Sequence, residues 1–198
     1  VIENVGAKPV FVDVGNDQNI NPELIEASIT ANTKAIMPVH LTGRMCEMDR
    51  VCEIARKYNL YVIEDSAQAA GSRYMDHQSG TWGDVGCFSA HPLKNLNACG
   101  DSGYVVTNNE EIAAKIRMLR NHGLVGRERV EHFGFVSRMD AIQATILRFR
   151  LGRLPSIIER RRRNAQLYKS LLNSDHIYHA PEQSAGFSSG QPGSEHSP

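Results

Sequence analysis

Between residues 87 and 103 the chain reads CFSAHPLKNLNACGDSG, one lysine among small and apolar residues, closed by Gly-Asp-Ser-Gly. An ammonium on a flexible stem is normally left in water, so the plain reading of Lys94 is a solvated surface residue. Its setting argues otherwise. Pro92 blocks helix continuation, which makes SAHPLKN an irregular loop presenting Lys94 at an edge of the core. Ser89 closes the apolar run VGCFS five positions earlier, and the run LYVIED ends on Asp65. Each has a plainer alternative, Asp65 as the cap of the next turn and Ser89 as a turn serine. Yet burying a carboxylate without a partner is costly, so a buried run that finishes in Glu-Asp is informative. Together, a strand-end Asp, a strand-end Ser and a loop Lys are the set that a pyridoxal phosphate site requires. The amine forms a Schiff base, the carboxylate keeps the pyridine nitrogen protonated so that the ring accepts electrons, and the hydroxyl, with backbone N–H groups, holds the phosphate.

These residues need a scaffold, and the hydrophobic pattern supplies one. PVFVDV (9–14) is a short β-rich run, followed by NPELIEASI with Asn21 at an N-cap and Pro22 at the first helical position. KAIMPVH (34–40) reads as the next strand. EMDRVCEIARKY spaces Met48, Val51, Cys52, Ile54 and Ala55 for one helical face and leads into LYVIED. The order β-α-β-α-β implies right-handed crossovers in a mostly parallel sheet flanked by helices, an α/β architecture. In open sheets of this kind ligands bind beyond the carboxyl ends of the strands, where Asp65 falls. VGCFS (85–89) and GYVVT (103–107) bracket Lys94 as two further strands, and NNEEIAAKIRMLR starts a helix at an Asn cap. From about Met139 to Leu172 the pattern is helical, with Ile142, Ile146, Leu147, Leu151 and Leu154 expected as a buried stripe. Beyond Asn173, Ser, Gly, Pro and Gln dominate, too apolar-poor to offset ordering entropy, so 173–198 is expected to be disordered.

Bulk composition narrows the partners. Twenty-two basic and 22 acidic residues cancel, so no global charge favours nucleic acid or an anionic membrane. The basic run ERRRRNAQLY (159–168) reads as a solvated helix rather than a nucleic-acid site. Cys46, Cys52, Cys87 and Cys99 show no CxxC spacing and read as reduced, cytoplasmic thiols. No stretch approaches the roughly 18 apolar residues of a membrane span. His40 has no second His or Cys at ligand spacing, so no metal site is expected. The chain opens without an initiator Met and is expected to be a piece of something longer.

Four blocks now carry a resemblance: VIEDSAQAAGSRY, SGTWGDVGCFSAHPLKNLNACGDSGYVVTNNEEI, MLRNHGL and GFVSRMDAIQA, in that order. They resemble the signature blocks of the DegT/DnrJ/EryC1/StrS sugar aminotransferases, whose large domain has the fold type I architecture of the pyridoxal-phosphate-dependent aminotransferases. The resemblance implies that Lys94 is the cofactor-bearing lysine and Asp65 the partner of the pyridinium. It implies that Gln68 bonds the cofactor's ring oxygen and that Ser89 binds the phosphate. Relatives that dehydrate carry His at the lysine position, so Lys94 implies amino transfer. The reaction implied moves an amino group from glutamate or glutamine to a nucleotide-linked keto-sugar, in making cell-surface polysaccharides or natural-product sugars. Arg138 resembles an arginine that approaches substrate across a homodimer interface, with a surface helix arginine as its alternative, and Trp82, near the Asp65 segment, is a candidate wall of the sugar pocket, with a core position as its alternative.

One position departs. Val136 stands where the family usually has an Asn that reaches the neighbouring subunit's cofactor phosphate, and losing one such bond costs about 1.5–3 kcal/mol, enough to weaken cofactor retention. The family continues on both sides, with a phosphate-binding Gly-Thr turn before this region and a small domain after it. The expected organisation is therefore a cofactor-binding large-domain centre at 1–138, a helical segment at 139–172 leading toward a small domain, and the tail. The rival reading is a catalytically silent scaffold that does not retain cofactor.

Overall fold

The computed structural model describes residues 1–172, and the tail expected to be disordered lies outside the described residues. Asn21 caps α1 (Pro22–Ile25), accepting from the Glu23 N–H at 3.0 Å. After β1 (Ala35–Ile36) comes α2 (Met48–Tyr58), which buries Met48, Val51, Ile54 and Ala55, the spaced apolar face. Asn59, in the left-handed region at φ 53°, ends that helix and turns the chain into β2 (Tyr61–Asp65). A tight hairpin of β3 (Arg73–Tyr74) and β4 (His77–Gln78) follows, joined through Met75 and Asp76, both at positive φ as a two-residue hairpin turn demands. Next come β5 (Val85–Ser89), β6 (Gly103–Val106) and α3 (Glu110–Leu119), whose Asn109 cap accepts from the Glu111 and Ile112 amides. A small hairpin, β7 (Leu124–Val125) with β8 (Arg129–Val130), precedes α4 (Ala141–Leu151) and α5 (Leu154–Leu171).

The main sheet has the order β1-β2-β5-β6, parallel across the first three strands, with β6 antiparallel to β5. Two apolar clusters flank it. One joins Ile25, Ile36, Met45, Val62 and the buried face of α2, and the other joins Ala70, Ala90, Leu96, Ala98, Leu147 and Leu154. Among the described residues no helix is long and apolar enough to cross a membrane.

Three expectations need correction. The run 9–14 forms no strand; a single bridge, Val14 to Ile20, is all the ladder it makes, and Val10 and Phe11 are exposed. No neighbouring strand lies beside it among the described residues, and β propensity without a partner makes no sheet. The run 34–40 shortens to β1 plus a bridge of Val39 to Asp65, because Pro38 has no N–H to donate and interrupts the ladder. In α4 and α5 only Leu147 and Leu154 of the expected stripe are buried, while Ile142 and Leu151 are exposed. The break at Gly152–Arg153 ends the helical phase, so one stripe cannot run across both helices.

Candidate active site

β2 and β5 run parallel with Asp65 opposite Cys87, so their carboxyl ends open on one edge of the sheet. Ser89 stands two residues past the level of Asp65, roughly 7 Å at strand rise. A cleft of about 950 Å³ takes in Ser89, Lys94 and Gln68 as lining residues. Asp65 ends its strand at the same edge, half-buried, but is not one of the residues lining that cleft.

Each group has a definable spare capacity. Ser89 Oγ accepts the His91 N–H at 3.3 Å, which leaves its own proton free to donate. Gln68 Oε1 accepts the Thr42 N–H at 2.8 Å, so its NH2 remains the donor. Asp65 Oδ1 accepts the Ala67 N–H at 3.0 Å, the turn cap that was its plainer alternative, and Oδ2 has no hydrogen-bond partner among the described residues. The Asp65 main chain is pinned from both sides, its N–H donating to Pro38 O at 2.9 Å and its carbonyl accepting from the His40 N–H at 3.0 Å. Lys94 is half-buried and its N–H donates to His91 O at 2.9 Å. A free hydroxyl donor, a free amide donor, an open carboxylate oxygen and an amine fit the phosphate, ring oxygen, ring nitrogen and aldehyde of pyridoxal phosphate.

Two arrangements could not be read from the sequence. Arg161 and Arg162 of α5 are exposed, as the solvated basic run implied, and they also line the cleft together with Arg73, against Asp101 as the one acidic lining residue among the described residues. Helix phase alone could not reveal this, because the cleft wall depends on where α5 packs. Gly71, at φ +87°, lets the loop approach α5 so closely that a Cβ there would stand 2.4 Å from Ile158 Cδ1. The second group is the pair His40 and Glu64, both fully buried, with Nε2 3.0 Å from Oε2. Glu64 also accepts the Gly80, Trp82 and Gly83 N–H groups at 2.7, 2.8 and 2.8 Å. The Cys46 N–H donates to His40 Nδ1, so Nε2 carries the proton that faces Glu64. Thus the carboxylate that β2 buries is Glu64, and it is fully partnered.

The two remaining candidates lie elsewhere. Arg138 is exposed and its Nη2 donates to Asn121 Oδ1 at 2.6 Å, outside the lining of the cleft. The RNHG block clasps the GFVSR segment, with Arg120 Nε donating to Ser137 O at 2.8 Å and an Asn121–Val136 bridge. Trp82 does not line the cleft either; it packs against the first apolar cluster, 4.9 Å from the His77 ring and 5.7 Å from the Tyr74 ring.

This combination of sheet edge and convergent side chains is that of an aminotransferase fold, and sequence comparison agrees. The model of the DegT/DnrJ/EryC1/StrS aminotransferase family matches residues 1–189, and the chain belongs to that family. The UDP-N-acetyl-3-dehydro-alpha-D-glucosamine 3-aminotransferase of Acidithiobacillus ferrooxidans is 45% identical over 186 residues, covering 92% of this chain and 50% of that protein. The dTDP-3-amino-3,4,6-trideoxy-alpha-D-glucose transaminase of Streptomyces venezuelae is 42% identical over 172 residues, 86% of this chain and 45% of that one. NtdA of Bacillus subtilis, solved with bound cofactor PMP, superimposes with a TM-score of 0.68 at 37% identity, over 74% of this chain and 34% of that one. The chain spans about half the length of the two curated relatives.

Proposed function

We propose that the chain is the cofactor-binding centre of a pyridoxal-phosphate-dependent sugar aminotransferase, which moves an amino group from glutamate or glutamine to a nucleotide-linked keto-sugar. The observation that carries this reading is the convergence of Lys94, Ser89 and Gln68 on one cleft at the carboxyl edge of parallel strands. The A. ferrooxidans and S. venezuelae relatives, named for UDP- and dTDP-linked sugars, support the substrate class, and PMP in NtdA supports the cofactor. When bound, the cofactor supplies an electron sink for the pair left on the substrate carbon. Lys94 Nζ would be the group that attaches the cofactor covalently, and its amine would be the base that holds or moves the proton at that carbon. Asp65 Oδ2 would partner the ring nitrogen, the Gln68 amide would donate to the ring oxygen, and Ser89 Oγ would donate to the phosphate. Arg73, Arg161 and Arg162 give the cleft the positive sign that an anionic cofactor and substrate need. Trp82 takes no substrate role in this reading, and Arg138 acts from a second copy of the chain. That copy covers the exposed apolar residues Phe133, Phe135, Val136 and Ile142 in a cytoplasmic homodimer.

In this reading 1–138 is the large domain and 139–172 leads toward a small one. The competing reading, a scaffold without cofactor, draws on Val136, whose exposed apolar side chain offers no hydrogen bond. Incubation with pyridoxal phosphate, borohydride reduction and peptide mass spectrometry separate the two. Modification confined to Lys94 and abolished by Lys94→Ala is the expected result. Folded protein that takes up no cofactor supports the scaffold and refutes the enzyme reading.

A further inference from the structure

The backbone of Lys94 is held by a side chain that the proposed chemistry does not use. The Ala98 N–H donates to Ala90 O at 2.8 Å and closes residues 90–98 into a loop with Lys94 at its middle. Inside that loop Asn97 Nδ2 donates to Pro92 O at 2.9 Å and to Lys94 O at 2.8 Å. A primary amide has two N–H donors, and Asn97 uses both on these carbonyls. Its other end faces α4, where Arg150 Nη1 donates to Asn97 Oδ1, to Asn97 O at 2.9 Å and to Ala98 O at 3.3 Å. A guanidinium can only donate, so the atom of Asn97 that meets it must be oxygen. Arg150 therefore braces, from the other side, the amide orientation that the Pro92 and Lys94 carbonyls already demand, since a flipped amide would set its oxygen against them. Gln143, seven residues or two turns earlier on α4, accepts the Cys99 N–H at 2.8 Å, a second strap on the same segment. Between these straps Leu147 of α4 is buried in one cluster with Leu96 and Ala98 of the loop.

We propose that Arg150 and Asn97 are positioning residues for Lys94. Arg150 braces the Asn97 amide, the amide holds the Lys94 carbonyl, and the stem that carries the amine therefore starts from one fixed place at the edge of the cleft. This rests on the reading of Lys94 as the cofactor lysine. A covalent attachment made by an oriented amine is fast because its entropy loss precedes the reaction, so loosening the loop slows attachment even where the fold survives.

The test uses the full chain with Arg150→Met, Arg150→Lys and Asn97→Asp. Two quantities are read: the rate at which pyridoxal phosphate labels Lys94, trapped with borohydride, and, without cofactor, amide hydrogen exchange at Lys94 and Ala98 against Val51 in α2. Asn97→Asp keeps the shape, loses both donors and sets a carboxylate oxygen against two carbonyls, so labelling is expected to slow at least about tenfold. Arg150→Met is expected to slow labelling by a smaller factor and to speed exchange at Lys94 and Ala98 while leaving Val51 unchanged. Arg150→Lys, which keeps a donor, is expected to restore most of the rate. Parent-like labelling and loop exchange in Arg150→Met and Asn97→Asp overturns the clamp while leaving the cofactor reading intact. Exchange that rises equally at Val51, with Arg150→Lys no better than Arg150→Met, overturns it too, because the role is then general stability. Labelling of the parent at a lysine other than Lys94 removes the cofactor reading and the clamp with it.

Discussion

Glu64 and Asp65 are neighbours in one strand with opposite surroundings, and the pleat decides which is which. Val62 and Glu64 face inward, whereas Ile63 and Asp65 fall on the other face. The run LYVIED announces a carboxylate in a buried strand, but only the strand's phase says which carboxylate meets the core. The place of Asp65 at the carboxyl end of the strand was legible because it ends the run. The partners of Glu64 were not, because they come from loops 16–19 residues onward and from His40, 24 residues back. Burial alone would raise the Glu64 pKa, yet the hydrogen bonds from His40, Gly83 and Gly80 outweigh it and hold the carboxyl below its ordinary value. A carboxyl depressed on folding adds stability that is present above its unfolded pKa, about 4.3, and is lost as pH falls through the lower folded value. Urea unfolding midpoints are therefore expected to drop below about pH 4. Glu64→Gln should lose about 3 kcal/mol at pH 7 and flatten that acid slope. A variant as stable as the parent at pH 7 would show that the buried pair contributes nothing net.

At the scale of elements, the readable parts were those whose signal is local. The α2 face, the Asn21 and Asn109 caps and the two strands around Lys94 follow from spacing and capping chemistry within a few residues. The run at 9–14 failed because a strand exists only through its neighbour, which no local pattern specifies. The close crossing of loop and strand at Gly80 and Gly86 was equally hidden. A Cβ on Gly86 would stand 2.3 Å from Gly80 Cα and 2.7 Å from Gly80 O, both backbone atoms with no flexible end to swing away. That contact brings the Gly80 N–H to Glu64. Gly86→Ala is expected to destabilise by about 1–3 kcal/mol through overpacking, and by more if the loop lifts off Glu64. The second outcome is recognisable, because the variant should then also lose the acid slope attributed to Glu64.

For the molecule as a whole, the alternation of strand and helix periods specifies the α/β class, whereas the division into two apolar clusters depends on how distant segments pack. The first cluster lies under α2, away from Lys94, and the second joins the lysine loop to α4 and α5 through Leu96, Ala98, Leu147 and Leu154. That division predicts two separable consequences of cavity formation. Met48→Ala in the first cluster and Leu147→Ala in the second each remove a buried side chain and should each cost about 2–5 kcal/mol. Thermal or urea unfolding will not distinguish them. Attachment of pyridoxal phosphate to Lys94, measured well below either unfolding midpoint, should: a cavity at Leu147 frees Leu96 and Ala98 and slows attachment, whereas a cavity at Met48 leaves the lysine loop strapped to α4. Equal slowing in the two variants would mean that the clusters unfold and relax as one core, and the cleft would then owe its geometry to global stability rather than to its own wall.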